Sequence, residues 1–170
     1  MSDLESVAIR HLSGGDAEAF RSIRLEGLER YPAAFAASFR EEREQPLSFF
    51  ADRLERNFVL GAESRERLAG VAGFQFHDSE KTRHRGMLWG MYVREEARGT
   101  GVARRLVDGI LDHARQRVEE IALTVWTENP AAIALYKSAG FVVTAHDARA
   151  LKIDGLYYDI LLMQLRFAAG

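Results

Sequence analysis

Residues 98–103 read Arg98-Gly99-Thr100-Gly101-Val102-Ala103 and stand directly before the clearest helical pattern in the chain. A helix N-terminus leaves backbone N–H groups unpaired and carries partial positive charge, which suits an anionic phosphate. Gly99 and Gly101 lack side chains that would hold a phosphate away from those groups, and Arg98 and Arg104 could add charge-assisted hydrogen bonds. A second reading is a tight turn in which the glycines only relieve strain. Two rival phosphate motifs do not fit. A P-loop needs Lys and then Ser or Thr after its last glycine, where this chain has Val102-Ala103. A dinucleotide fingerprint needs a third small residue at set spacing and an acidic residue after the next strand, an arrangement absent here. Other chemistries fall away quickly. With no cysteine there is no thiolate nucleophile or thiolate metal site, and the five histidines show no ligand spacing. The acidic residues form no calcium loop, and no Gly-x-Ser-x-Gly elbow occurs. No metal is expected.

The elements that must position this loop follow from periodicity. Val102, Leu106, Val107, Ile110, Leu111, Ala114 and Val118 recur at three- and four-residue steps, with Arg104, Arg105, Asp108 and Arg115 between them. An apolar run at residues 87–93 predicts the strand that delivers the loop, and residues 121–126 predict the strand after the helix. Asn129 is a natural N-cap with Pro130 at the first helical position, and Gly140 closes that helix as a left-handed C-cap. Residues 141–151 and 156–165 form a last hairpin turning at Asp154-Gly155. Upstream, residues 7–11 form a short strand, and Ser13 to Asp16 form a capping box. The helix that follows ends at Tyr31-Pro32. A second helix starts near Pro46, with Leu47, Phe50 and Leu54 directed to the core. Residues 58–62 and 68–76 form a hairpin across the charged stretch 63–67. The order is strand, two helices, three strands, helix, strand, helix, two strands, in one α/β domain over residues 1–170. Its sheet is mostly antiparallel, with parallel pairing at a strand–helix–strand crossover.

Bulk properties limit the partners. A chain of 170 residues that is 47% hydrophobic and 28% charged can bury a real core. A net charge of −2 argues against nucleic acid as the main ligand. Residues 1–5 lack a signal-peptide pattern, and no apolar run approaches the roughly 18 residues that span a bilayer. The expectation is a soluble cytoplasmic protein without a membrane partner.

A second motif gives the loop an owner. The segment Asn129-Pro130-Ala131-Ala132-Ile133-Ala134-Leu135-Tyr136-Lys137-Ser138-Ala139-Gly140-Phe141 resembles the Asn-x-x-Ala-x-x-x-Tyr-x-x-x-Gly-Phe signature of the GNAT superfamily of N-acetyltransferases. Residues 98–103 match that family's Arg/Gln-x-x-Gly-x-Gly/Ala acetyl-CoA loop, in the family order. The resemblance implies a sheet splayed around the pantetheine arm between the strands ending at Val93 and Trp126, flanked by about four helices. It implies acetyl-CoA as acyl donor, the pantetheine pairing with strand backbone at Met91, Tyr92 and Val93. The pyrophosphate is implied on the N–H groups of Arg98, Gly99, Thr100, Gly101, Val102, Ala103 and Arg104. Asn129 is implied to bind the pantetheine, with Ala132 small enough for close approach. A primary amine of a small molecule or peptide would attack the thioester, a strand N–H near residues 91–93 would steady the oxyanion, and Tyr136 would protonate the sulfur. The alternative is a non-catalytic acyl-CoA-binding or sensing module on the same fold. A homodimer is left open.

The chain also departs from family patterns. Thr124 stands where relatives that acetylate protein N-termini commonly carry a Glu, so the general base is open among Glu128, His77, Asp78, His84 and a water. On the acceptor side, Phe35 and Phe39 line an apolar wall while Glu41 or Glu42 draws a cationic amine, or the phenylalanines are core and the glutamates solvent-exposed. Trp89 and Trp126 lie near the splay, and core packing is the expected role of each.

Overall fold

The computed structural model describes residues 7–65 and 67–168, so the expectation for residues 1–5 lies outside them. The first strand, β1 (Ala8–His11), leads to a capping turn in which the Ser13 N–H donates to the Asp16 carboxylate at 2.9 Å. Helix α1 (Ala17–Arg30) stops before Pro32 as expected. Two short elements were not anticipated: a 3-10 turn at Pro32–Ala34, and helix α2 (Phe39–Arg43), started by Ser38 accepting from the Glu41 N–H at 3.1 Å. Helix α3 (Leu47–Arg56) buries Phe50 and Leu54, but Leu47 in its first turn faces outward at 40% exposure, contrary to expectation.

Strands β2 (Phe58–Ser64), β3 (Arg67–Phe76) and β4 (Arg85–Val93) form an antiparallel meander. Within the charged stretch, Glu63, Ser64 and Arg67 are strand, with Ser64 already paired to Arg67. Helix α4 (Val102–Arg115) crosses to β5 (Glu120–Trp126), and α5 (Pro130–Ser138) crosses to the hairpin β6 (Val142–Ile153) and β7 (Leu156–Arg166). Val118, which continued the helical periodicity, lies beyond α4 yet is buried.

The sheet order is β1-β2-β3-β4-β5-β7-β6, and only β4–β5 is parallel among the pairings of the described residues. Two cores hold it. On one face α4 and α5 press Leu106, Ile110 and Tyr136 against Phe74, Leu123 and Phe141. On the other, α1 and α3 cover Val59, Val71 and Tyr92 with Phe20, Ile23 and Phe50. Burying each such side chain contributes about 1.5–3 kcal/mol, which fixes both helical layers to the sheet. No helix among the described residues is long and apolar enough to cross a membrane.

Candidate active site

The parallel strands β4 and β5 pair only at Arg85↔Glu120, Gly86↔Ile121 and Met87↔Ala122. Beyond these positions residues 88–93 and 123–126 run on without pairing to each other, and the sheet opens as a V toward both C-terminal ends. A bulge shapes one arm. Register slips between Val71 and Gly73 of β3, and Gly90 opposite them adopts φ +64, a region side chains resist. Past the bulge, the Arg94 N–H donates to the Ala69 carbonyl at 2.8 Å. By antiparallel alternation the Val93 N–H and C=O then face away from β3, toward the V.

The glycine loop lies just past the end of β4. Gly99 and Gly101 adopt φ +73 and +87, and a Cβ on either would meet no atom within 4 Å. The glycines therefore serve the turn and also leave open space beside it. Arg105 donates the first bond of the α4 ladder, to the Gly101 carbonyl at 3.0 Å, so the N–H groups of Gly101, Val102, Ala103 and Arg104 stand ahead of it. Thr100 closes the turn through its hydroxyl, which donates to the Ala97 carbonyl at 2.6 Å. Arg98 turns back from the loop: Nε donates to the Val93 carbonyl at 3.0 Å and Nη1 to the Tyr31 hydroxyl at 2.9 Å. It braces the V rather than pointing outward. Arg104 bridges Asp108 and Ser138 on the exposed surface.

Across the V, Asn129 caps α5 by accepting from the Ala132 N–H at 3.2 Å, and its Nδ2 has no partner among the described residues. The far end of α5 closes on Gly140, φ +105, with the Phe141 N–H donating to the Tyr136 carbonyl. That closure holds the Tyr136 ring edge-on to Phe141, centroids 5.8 Å apart. Burial at 5% exposure raises the Tyr136 phenol well above the ordinary tyrosine range, so its proton is retained at neutral pH. Met91, Val93, Val102, Ala103, Ala132 and Tyr136 share one apolar cluster. The Tyr92 side chain is not among them. It lies on the opposite face, donating to Glu26 at 3.0 Å, and burial with that carboxylate pushes it up to about 12.

The remaining expectations separate by position. His77, Asp78 and His84 sit at the closed, paired end of β4, and only Glu128 of the four candidate bases lies at the open end. Thr124 is exposed in the middle of β5, marking where that face opens to solvent. Phe35 and Phe39 are half-buried. Glu41 is exposed, but Glu42 is buried and held by two arginines, so neither expectation for it stands. Arg24 donates to it through Nε at 3.0 Å and Nη2 at 2.9 Å, and Arg53 through Nη1 at 2.8 Å. Burial pushes the Glu42 carboxyl up, but these bonds and charges prevail and hold it below its usual range. Trp89 lies beside both guanidinium groups, at 5.8 Å from Arg24 and 5.0 Å from Arg53. Sequence reasoning missed Arg24 and Gly90. Arg24 stands four residues after Phe20 and four before Leu28, an apolar-stripe position that could have exposed it.

The sequence profile of the Acetyltransferase (GNAT) family matches residues 20–141. The chain belongs to that family: it is an N-acetyltransferase, and acetyl-CoA is its acyl donor. It is 29% identical over 130 residues to a spermidine N(1)-acetyltransferase of Vibrio cholerae, covering 75% of this chain and 73% of that one. It is 27% identical over 163 residues to the L-amino acid N-acyltransferase MnaT of Escherichia coli, covering 94% of each. Its fold superimposes with a TM-score of 0.79 on an acetyltransferase, yncA of Salmonella typhimurium, solved with its cofactor acetyl-CoA, at 24% identity over 98% of both chains. Among the described residues no group of acidic and histidine side chains is arranged to hold a metal ion.

Proposed function

We propose that the chain works as a single N-acetyltransferase domain that acetylates a primary amine of a small molecule or peptide. The observation that carries this reading is the V between β4 and β5, which ends on a helix N-terminus flanked by open space at Gly99 and Gly101. Those features fit a long ligand with an anionic middle and a thin arm. Acetyl-CoA supplies an activated acyl thioester.

The chain's own groups then divide the work. The N–H groups of residues 101–104 and the dipole of α4 hold the pyrophosphate, and Arg104 can exchange Ser138 for a phosphate oxygen. The outward Val93 N–H and the free Nδ2 of Asn129 bind the arm from opposite sides. A strand N–H near residues 91–93 receives charge developing on the carbonyl oxygen. Tyr136 keeps a proton at Oη for the departing sulfur.

The test is free-thiol release from acetyl-CoA across a panel of amines. Release that depends on the added amine, with the acetylated amine recovered, is the expected result. Tight CoA binding without turnover on any amine would instead establish a binding or sensing module.

A further inference from the structure

The side of the V covered by α1, α2 and their connection carries an unneutralised positive charge. The Arg24 side chain is 6% exposed, and Nε and Nη2 are both committed to Glu42. Nη1 has no partner among the described residues and is not among their fully buried unpaired atoms, so it still reaches solvent. It is aimed at the β4 bulge: a Cβ added to Gly90 would lie 3.5 Å from Nη1 and meet no other heavy atom within 4 Å. Phe35 covers the guanidinium at 5.2 Å, which shields a partner from water. With Nε and Nη2 committed to Glu42, this third donor is left for an acceptor that enters the site.

The local charges decide what that acceptor is. Arg24 and Arg53 share one carboxylate, leaving this cluster with one excess positive charge. Glu26 cannot compensate, since its oxygens accept from Tyr92 and Arg94. A cationic tail would meet repulsion here, and a carboxylate would meet a forked donor in a shielded site.

Resting on the acetyl-transfer reading, we infer that Arg24 is a specificity-determining residue and the acceptor is an amine bearing a carboxylate, of the α-amino acid class. Its carboxylate accepts from Arg24 Nη1 beside Gly90. One carbon away, the amine then lies along the bulged segment of β4, at the open V. The spacing of the two groups is that of the ligand itself.

The test compares wild-type kcat/KM for free L-amino acids with their decarboxylated amines, their amides and spermidine. The free acids are expected to exceed the others by about 10–100-fold, the scale of one hydrogen bond between charged groups. Arg24→Lys keeps a cation for Glu42 but removes Nη1. It should raise the amino-acid KM more than 10-fold, leave acetyl-CoA affinity unchanged and bring the ratio toward unity. If that variant fails to fold, amine-free carboxylic acids should still inhibit the wild type competitively against the acceptor. Comparable turnover of spermidine, amides or decarboxylated amines would overturn the inference while leaving acetyl transfer intact, and absent competitive inhibition would do the same. No thiol release with any acceptor would overturn the acetyl-transfer reading, and this inference with it.

Discussion

On the proposed reading, Tyr136 is structural in its ring and chemical at its tip. The ring is fixed against Phe141, while the hydroxyl has no partner among the described residues. Tyr136→Phe should therefore leave melting temperature and acetyl-CoA affinity nearly unchanged and lower kcat by about 10²–10⁴, the range for a lost general acid. Unchanged kcat would remove it from the chemistry. His113 offers a different residue-scale prediction. It stacks on Phe58 at 3.5 Å, and burial, then Arg117 and His11, lower its pKa to about 4. An unfolded histidine titrates near 6.5, so between these values the unfolded chain binds the extra proton. Stability should fall as pH drops from about 6.5 toward 4 and level off below. His113→Gln should flatten that limb of a pH–denaturation profile.

At the scale of elements, the loop and the helix it starts were legible because their signals are local. Glycine before an apolar stripe announces a helix N-terminus whatever surrounds it. The φ values of +73 and +87 show why no other residue type substitutes easily there. At Gly101 a Cβ meets only open space but the left-handed φ strains any side chain, so Gly101→Val should cost about 1–3 kcal/mol of stability without losing the fold and should abolish acetyl-CoA binding in calorimetry. Retained affinity would detach the loop from the cofactor. The bulge at Gly90 was not legible, because a glycine in an apolar run reads equally well as continuous strand. Nor was the Arg24–Glu42–Arg53 cluster, whose members lie 18 and 11 residues apart and meet only when α1, α2 and α3 pack. Local patterns reveal elements; charges joined across three helices do not show in any one of them. The same reason left the acceptor side ambiguous while the donor side was readable.

At the scale of the whole molecule, two blocks are joined by the short parallel pairing and by the core that α4 shares with both. Strands β1 to β4 with α1, α3 and α4 make one block, and β5 to β7 with α5 make the other. A ligand lying in the V touches both. Acetyl-CoA at 100 times its dissociation constant should stabilise the fold by about 2.7 kcal/mol. For a chain this size that raises the melting temperature by on the order of 5–10 °C. Desulfo-CoA should reproduce most of the shift, because little of the contact involves the sulfur.

The unpaired stretch of β4 also carries its own reporter. The amide hydrogen of Val93 points into the V, whereas those of its neighbours Tyr92 and Arg94 point to β3 and its ladder. Deuterium uptake along this one strand should therefore alternate between fast and slow positions. Donor binding should silence the fast ones alone, giving a residue-resolved measure of occupancy that needs no acceptor and no turnover.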